Sequence, residues 1–229
     1  MEQLHNGYTL ELCPGAFPLS TDSIALSGFV RLPKNAAVLD LCSGCGTLGL
    51  LLCAQRADCS VTGIEIHEEA HRMALKNAQA NGLSHRLTGI HGSITDAKDL
   101  VDAGQFDVCI CNPPYFSGGI PSATLATARQ EGHCTLSDVM AAAGWALRWG
   151  ADLYLVHRPE RLAELFVCAA RHRLEPKRMQ LLRHRSTGPV SLVLVQLRKG
   201  AKPGLSWEEE SLFDEKGQPT QYYRRLYHI

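Results

Sequence analysis

Residues Ala37–Leu41 (AVLDL) form a short apolar run that breaks into Ser43-Gly44-Cys45-Gly46, and a helical stretch follows from about Thr47 to Arg56. An apolar run without alternation reads as a strand buried on both faces. Glycine directly after it lets the backbone turn tightly and approach a ligand closely. A second strand and helix follow. Val61–Ile66 is a β-rich run carrying Glu65, and residues 68 to 81 read as a helix that stops at Asn81-Gly82. Leu87–His91 is a weaker strand with a short helix around 97–101 after it, and Phe106–Cys111 (FDVCIC) is a strongly apolar strand.

Residues 117 to 134 hold Gly118, Gly119, Pro121 and Gly132 without periodicity and read as a long loop. Residues 136–149 are helical, 153–156 a strand and 159–171 a helix. Strands near 179–183 and 192–197 are joined by STGPVS, a link that permits an antiparallel hairpin but no crossover. The expected fold is α/β: a doubly wound, mostly parallel, seven-stranded sheet ending in an antiparallel hairpin. One domain of 229 residues is expected, with 1–35 as an N-terminal segment on the cofactor site, 36–200 as the core sheet and 201–229 as a C-terminal extension.

Lys+Arg and Asp+Glu balance at 23 each, so only the distribution of charge can speak for a polyanionic partner. The start MEQLHNGYTLELCPG has neither a basic end nor an apolar core, and no apolar run approaches the roughly 18–20 residues of a membrane span. Nine scattered cysteines read as free thiols in a reducing compartment, and a cytoplasmic protein is expected. Cys42 and Cys45 make a lone C-x-x-C with no second pair, so no metal site is assigned.

Two features point to a nucleoside cofactor. The glycine-rich turn sits where α/β sheets bind ligands, and Glu65 follows Gly46 by nineteen residues at the end of the second strand. A carboxylate there can accept hydrogen bonds from both hydroxyls of a ribose. With the acid ahead of the glycines, Asp40-Leu41-Cys42-Ser43-Gly44-Cys45-Gly46 resembles the first motif of class I methyltransferases, with Cys42 where glycine is commoner. That resemblance implies S-adenosyl-L-methionine as cofactor, held by Asp40, Cys42, Ser43, Gly44, Gly46, Glu65 and Ile66, with Asn112 also against it. In place of the acid that usually holds the adenine amino group stands Gly92-Ser93, so Ser93 or Asp96 takes that contact or the contact is lost.

Asn112-Pro113-Pro114-Tyr115, directly after the fourth strand, is the most specific signal. An amine attached to a base is a poor nucleophile because its lone pair is delocalised into the ring. Acceptors for both N–H hydrogens help localise that pair. The Asn112 side-chain carbonyl supplies one, and the backbone carbonyl of Pro113 can supply the second. Two prolines restrict the loop and pre-position both oxygens, and Tyr115 can stack on a flat substrate.

Together with these motifs, the segment PLSTDSIALSGFV, Arg129-Gln130-Glu131, HRPERLAEL and LEPKRMQLL resemble the bacterial tRNA N6-adenine methyltransferases, from about Tyr8 to the C-terminus. The resemblance implies transfer of a methyl group to N6 of the adenosine adjoining the anticodon, position 37, of a valine tRNA. It places Thr21 and Asp22 near the methionine end of the cofactor, where they also sit as a helix N-cap. Asn112, Pro113 and Tyr115 then hold the adenine, and Arg129 and Glu131 organise the loop over it.

Between Arg171 and Lys202 nine basic residues meet one acid, Glu175, which reads as the RNA-binding part of the chain. The target base is expected to flip into the pocket. A glutamine N5-methyltransferase of release factors is the first rival; it shares the tetrapeptide but carries a sizeable helical domain before the glycine-rich turn. An rRNA guanine-N2 methyltransferase usually shows phenylalanine after the prolines. A non-enzymatic RNA-binding module is the last alternative, and the intact tetrapeptide argues against it.

Overall fold

The structure is a computed structural model that describes residues 2–4, 7–16, 18–113 and 134–229. Pro114 and Tyr115 of the tetrapeptide, Arg129, Glu131 and the long loop lie outside the described residues. Ten strands and seven α-helices are described: β1 (Glu2–Gln3), β2 (Thr9–Leu10), α1 (Thr21–Phe29), β3 (Ala37–Leu41), α2 (Thr47–Gln55), β4 (Ser60–Glu65), α3 (Glu68–Ala80), β5 (Leu87–His91), α4 (Ala97–Leu100), β6 (Phe106–Cys111), α5 (Leu136–Ala146), β7 (Leu147–His157), α6 (Leu162–Arg171), β8 (Leu174–Arg185), β9 (Val190–Lys199), β10 (Ser206–Phe213) and α7 (Gln221–Tyr227).

β1 and β2 make a small ribbon, and the other eight strands form one sheet in the order β10-β8-β9-β7-β6-β3-β4-β5. Every pairing within that sheet is parallel except β7–β9 and β8–β9, and β8–β9 is the expected antiparallel hairpin. The sheet has eight strands rather than seven because β10 adds to the free edge of β8. Its sequence, SWEEESLF, is acidic and largely exposed, so it lacks the apolar signature of the inner strands.

Side chains alternate between two cores. On one face Leu39, Leu41, Cys109, Cys111, Leu153 and Leu155 pack beneath α4, α5 and α6; on the other Val38, Val61, Val108, Ile110, Tyr154 and Val156 pack beneath α1, α2 and α7. Burial on both faces is why β3 and β6 read as unbroken apolar runs.

The expected helix to residue 149 ends at Ala146, and β7 begins one residue later. Leu147 pairs with Phe106, Gly150 takes φ 80°, and the Trp149 ring packs closely on Gly200. Pairing of Leu147 with β6 and packing of Trp149 on β9's end override a local preference there.

Candidate active site

Register brings the motif-bearing strand ends to one level. Leu41 is opposite Cys111 and Ile64, and Glu65 is opposite His91, so residues 42–46, Asn112, Ile66 and Ser93 leave the sheet along one edge. Adjacent strands lie about 4.8 Å apart, so the row from Ser93 to Asn112 spans three spacings, about 14 Å. This is the carboxyl edge where open α/β sheets bind ligands.

The turn after β3 is held by its backbone. Cys42 (φ 60°), Gly44 (φ 55°) and Gly46 (φ 82°) are left-handed, and the Ser43 N–H donates to Ile64 O at 3.0 Å. A Cβ on Gly44 would meet open space, whereas one on Gly46 would come within 3.2 Å of Ala74 Cβ. Glu65 ties the turn down: its Oε2 accepts from Gly44 N–H and its Oε1 from His67 N–H, both at 2.8 Å. Each oxygen keeps acceptor capacity for a further donor.

Asp40 is 1% exposed, and neither carboxylate oxygen has a hydrogen-bond partner among the described residues. Burial pushes its pKa well above the carboxylate range and the charge of Glu65 adds to that; the Gly49 N–H at the start of α2 works the other way. An orphaned buried carboxylate beside a glycine turn fits a cationic, hydrogen-bond-donating ligand.

Cys42 and Cys45 face apart. Cys45 Sγ lies 3.6 Å from Cys13 Sγ, and Cys42 Sγ lies 3.8 Å from Cys134 Sγ. All nine cysteines are free thiols. The N-terminal segment is fixed to the same region by Asn77, whose Nδ2 donates to Glu11 O and Cys45 O at 2.8 and 2.9 Å. Asn77 is 2% exposed; on sequence alone it shares a helix face with alanines and shows no special role.

Asn112 Nδ2 donates to Ser23 Oγ at 3.0 Å. With its nitrogen so engaged, the amide leaves Oδ1 as the acceptor, and among the described residues Oδ1 has no partner. Ser23 is buried in the first turn of α1, and its residue type gave no signal. Pro113 is buried beside Asn112. The N-cap of α1 is Ser20, whose Oγ accepts from Ser23 N–H, so Thr21 and Asp22 are the first helical residues rather than the cap. Thr21 Oγ1 instead lies 3.2 Å from the Tyr227 hydroxyl, so α7 is tied to this end of α1.

Beyond β5, Ser93 caps a single 3₁₀ turn through Thr95 N–H, while Asp96 is exposed at its end and accepts from Thr95 Oγ1. Ile66 contributes its carbonyl to His91 Nε2 at 3.0 Å. His157, at the end of β7 next to β6, is 1% exposed and was not singled out by sequence. Its Nδ1 accepts from Arg158 N–H, and burial, with Arg161 nearby, lowers its pKa to about 4, which keeps the ring neutral.

The basic segment is not one patch. β8 and β9 run in opposite directions, so Arg171, Arg173, Lys177, Arg198, Lys199 and Lys202 fall at the edge away from Asn112. Only Arg183 and Arg185 reach the edge that carries Asn112, and β8, twelve residues from Leu174 to Arg185, spans about 40 Å. Arg178 is withdrawn from any ligand, stacked 3.9 Å over the Phe29 ring and donating to Phe29 O.

A sheet of this order, with an acid-Gly turn, a carboxylate one strand over and Asn-Pro on the other side, defines the methyltransferase class of α/β proteins. Solved structures agree on the fold. A predicted O-methyltransferase from Agrobacterium tumefaciens matches with a TM-score of 0.77 at 20% identity over 91% of this chain and 96% of its own. Geranyl diphosphate C-methyltransferase from Streptomyces coelicolor A3(2), solved with magnesium, geranyl diphosphate and S-adenosyl-L-homocysteine, matches with a TM-score of 0.57 at 10% identity over 77% and 78%. The tRNA1(Val) (adenine(37)-N6)-methyltransferase of Photobacterium profundum is 27% identical over 91% of this chain and 88% of its own. Residues 23–165 match the methyltransferase small domain, and the chain belongs to that family.

Proposed function

We propose that this methyltransferase uses S-adenosyl-L-methionine to methylate the exocyclic N6 of an adenine in tRNA, next to the anticodon at position 37. The observation that carries the reading is the register of β3 against β6, which sets the glycine-rich turn and Asn112-Pro113 side by side. Asp40 and the turn residues Cys42, Ser43, Gly44 and Gly46 fit the amino-acid part of the cofactor, the orphaned Asp40 carboxylate facing its cationic character. Glu65, with Ile66, fits the ribose, and Ser93 or Asp96 the adenine; Thr21 and Asp22 lie at the methionine end. When bound, the cofactor supplies an electrophilic methyl on sulfur.

The chain's own residues then handle the amine. Asn112 Oδ1, oriented by Ser23, takes one N–H and the Pro113 carbonyl the other, which returns lone-pair density to nitrogen. Pro114 stiffens the loop and Tyr115 stacks on the base. Residues 1–229 act in this reading as one methyltransferase domain: β10 extends the same sheet, and the N-terminal segment bonds to α3 and the turn. The substrate choice follows the 27% identical relative from Photobacterium profundum, whose name specifies adenine 37 of tRNA1(Val).

Incubation with methyl-labelled cofactor and bulk tRNA, ribosomal RNA and a release factor tests it, with digestion of whichever accepts label. Label recovered as N6-methyladenosine from tRNA is expected. Label on glutamine, or on guanine of ribosomal RNA, overturns the substrate assignment.

A further inference from the structure

Four rings run in series along the carboxyl edge of the sheet and the two C-terminal elements. His184 and Phe213 have centroids 5.1 Å apart, Phe213 and Tyr223 5.1 Å, and Tyr223 and Tyr227 4.3 Å at an interplanar angle of 22°. The series begins at β8, where Arg185 is opposite Phe213 of β10, and ends at Thr21 through the Tyr227 hydroxyl. Thr21 is two residues from Ser23, which holds Asn112. The rings therefore lead from the outer edge of the sheet to the methyl-transfer site.

The inner edges of Phe213, Tyr223 and Tyr227 pack on the α1–α7 core, which accounts for them as structure. That does not account for His184, which is exposed, nor for the cations around the row. Arg185 is exposed over the turn at Gly217, and Arg224 is exposed on α7; neither has an ion pair among the described residues. Arg183, by contrast, donates to Gly188 O and is paired with Glu209, so the fold accounts for its charge.

We propose that the exposed His184 end of this row is a stacking ledge for an unpaired RNA nucleotide next to the target base, with Arg185 meeting its phosphate. The proposal rests on the RNA-methyltransferase reading above and specifies how its substrate is held. Aromatic faces accept any base, while guanidinium groups take the backbone charge; this is how single strands are bound without sequence readout.

The test measures methyl transfer to tRNA, and binding of a fluorescent stem-loop RNA with an unpaired loop, by the full chain and by His184→Ala, Arg185→Ala and His184→Phe. His184→Ala and Arg185→Ala should each raise the RNA KM and Kd about 5-fold or more at unchanged kcat and cofactor Kd, with His184→Phe close to the unaltered protein. A fully paired duplex should compete poorly. If RNA is methylated but the variants leave KM and Kd unchanged, or the duplex competes equally, the ledge is wrong. If the unaltered protein labels only protein, the underlying RNA reading has failed instead.

Discussion

Replacing Ser23 with alanine removes one acceptor, the oxygen 3.0 Å from Asn112 Nδ2, and leaves the Asn112 side chain itself intact. A net hydrogen bond of about 1 kcal/mol favours one orientation of the amide over its 180° rotamer by about 5 to 1. Without it the two orientations approach equality, and the flipped one points an NH₂ group, a donor, at the substrate amine. Loss of orientation alone costs about 2-fold. Added looseness of the acceptor carries the expected fall in kcat to between about 2- and 10-fold. The half-buried amide also loses its partner, so stability should drop by about 1–2 kcal/mol, a few degrees in Tm for a chain of this size. Steady-state kinetics with saturating cofactor and a thermal melt measure both. A lowered Tm with kcat unchanged would refute the positioning role and leave Ser23 a purely structural residue.

Asn112→Ala, which deletes the acceptor itself, should lower kcat about 100-fold or more while cofactor Kd, read by calorimetry, stays within about 2-fold. Asp40→Asn should keep or raise Tm, because the burial that holds the Asp40 carboxyl well up no longer penalises a charge, yet weaken cofactor binding about 10-fold; weaker folding with unchanged binding contradicts the assignment. A Cβ at Gly63 would lie 2.5 Å from Ser43 Oγ, so Gly63→Ala should shift the turn, cost about 1–3 kcal/mol in denaturant unfolding and weaken the cofactor complex. The pKa of His157 falls from 6.5 to about 4 in the folded chain, so between those pH values the unfolded chain takes a proton that the folded one refuses. Stability should therefore fall as pH drops from 6.5 towards 4, by about 1.4 kcal/mol per unit, and His157→Gln should flatten that slope in melts at pH 7, 6 and 5.

The inner sheet was legible because β3, β4 and β6 are buried on both faces and carry their own glycine and proline punctuation. β10 was not, because an acidic edge strand with one neighbour needs no apolar pattern. The candidate site residues Asn112 and Glu65 stood out by type and spacing. Their supports did not: Ser23, Asn77 and His157 act through contacts with residues 89, 66 or 32 positions away, or through burial, and nothing in the linear order marks them. The basic segment misled because a hairpin sends neighbours in sequence to opposite ends of two long strands. Clustering in sequence became separation of about 40 Å in space.

The most direct test is the position of sulfur relative to Asn112 Oδ1 and the Pro113 carbonyl in a crystal grown with S-adenosyl-L-homocysteine and an adenosine-containing RNA loop. An adenine is expected whose N6 is hydrogen-bonded to both oxygens and lies in line with the sulfur at near-contact distance. Sulfur lodged on the far side of the Ser43–Gly46 turn, or an adenine gripped by other groups, would contradict it.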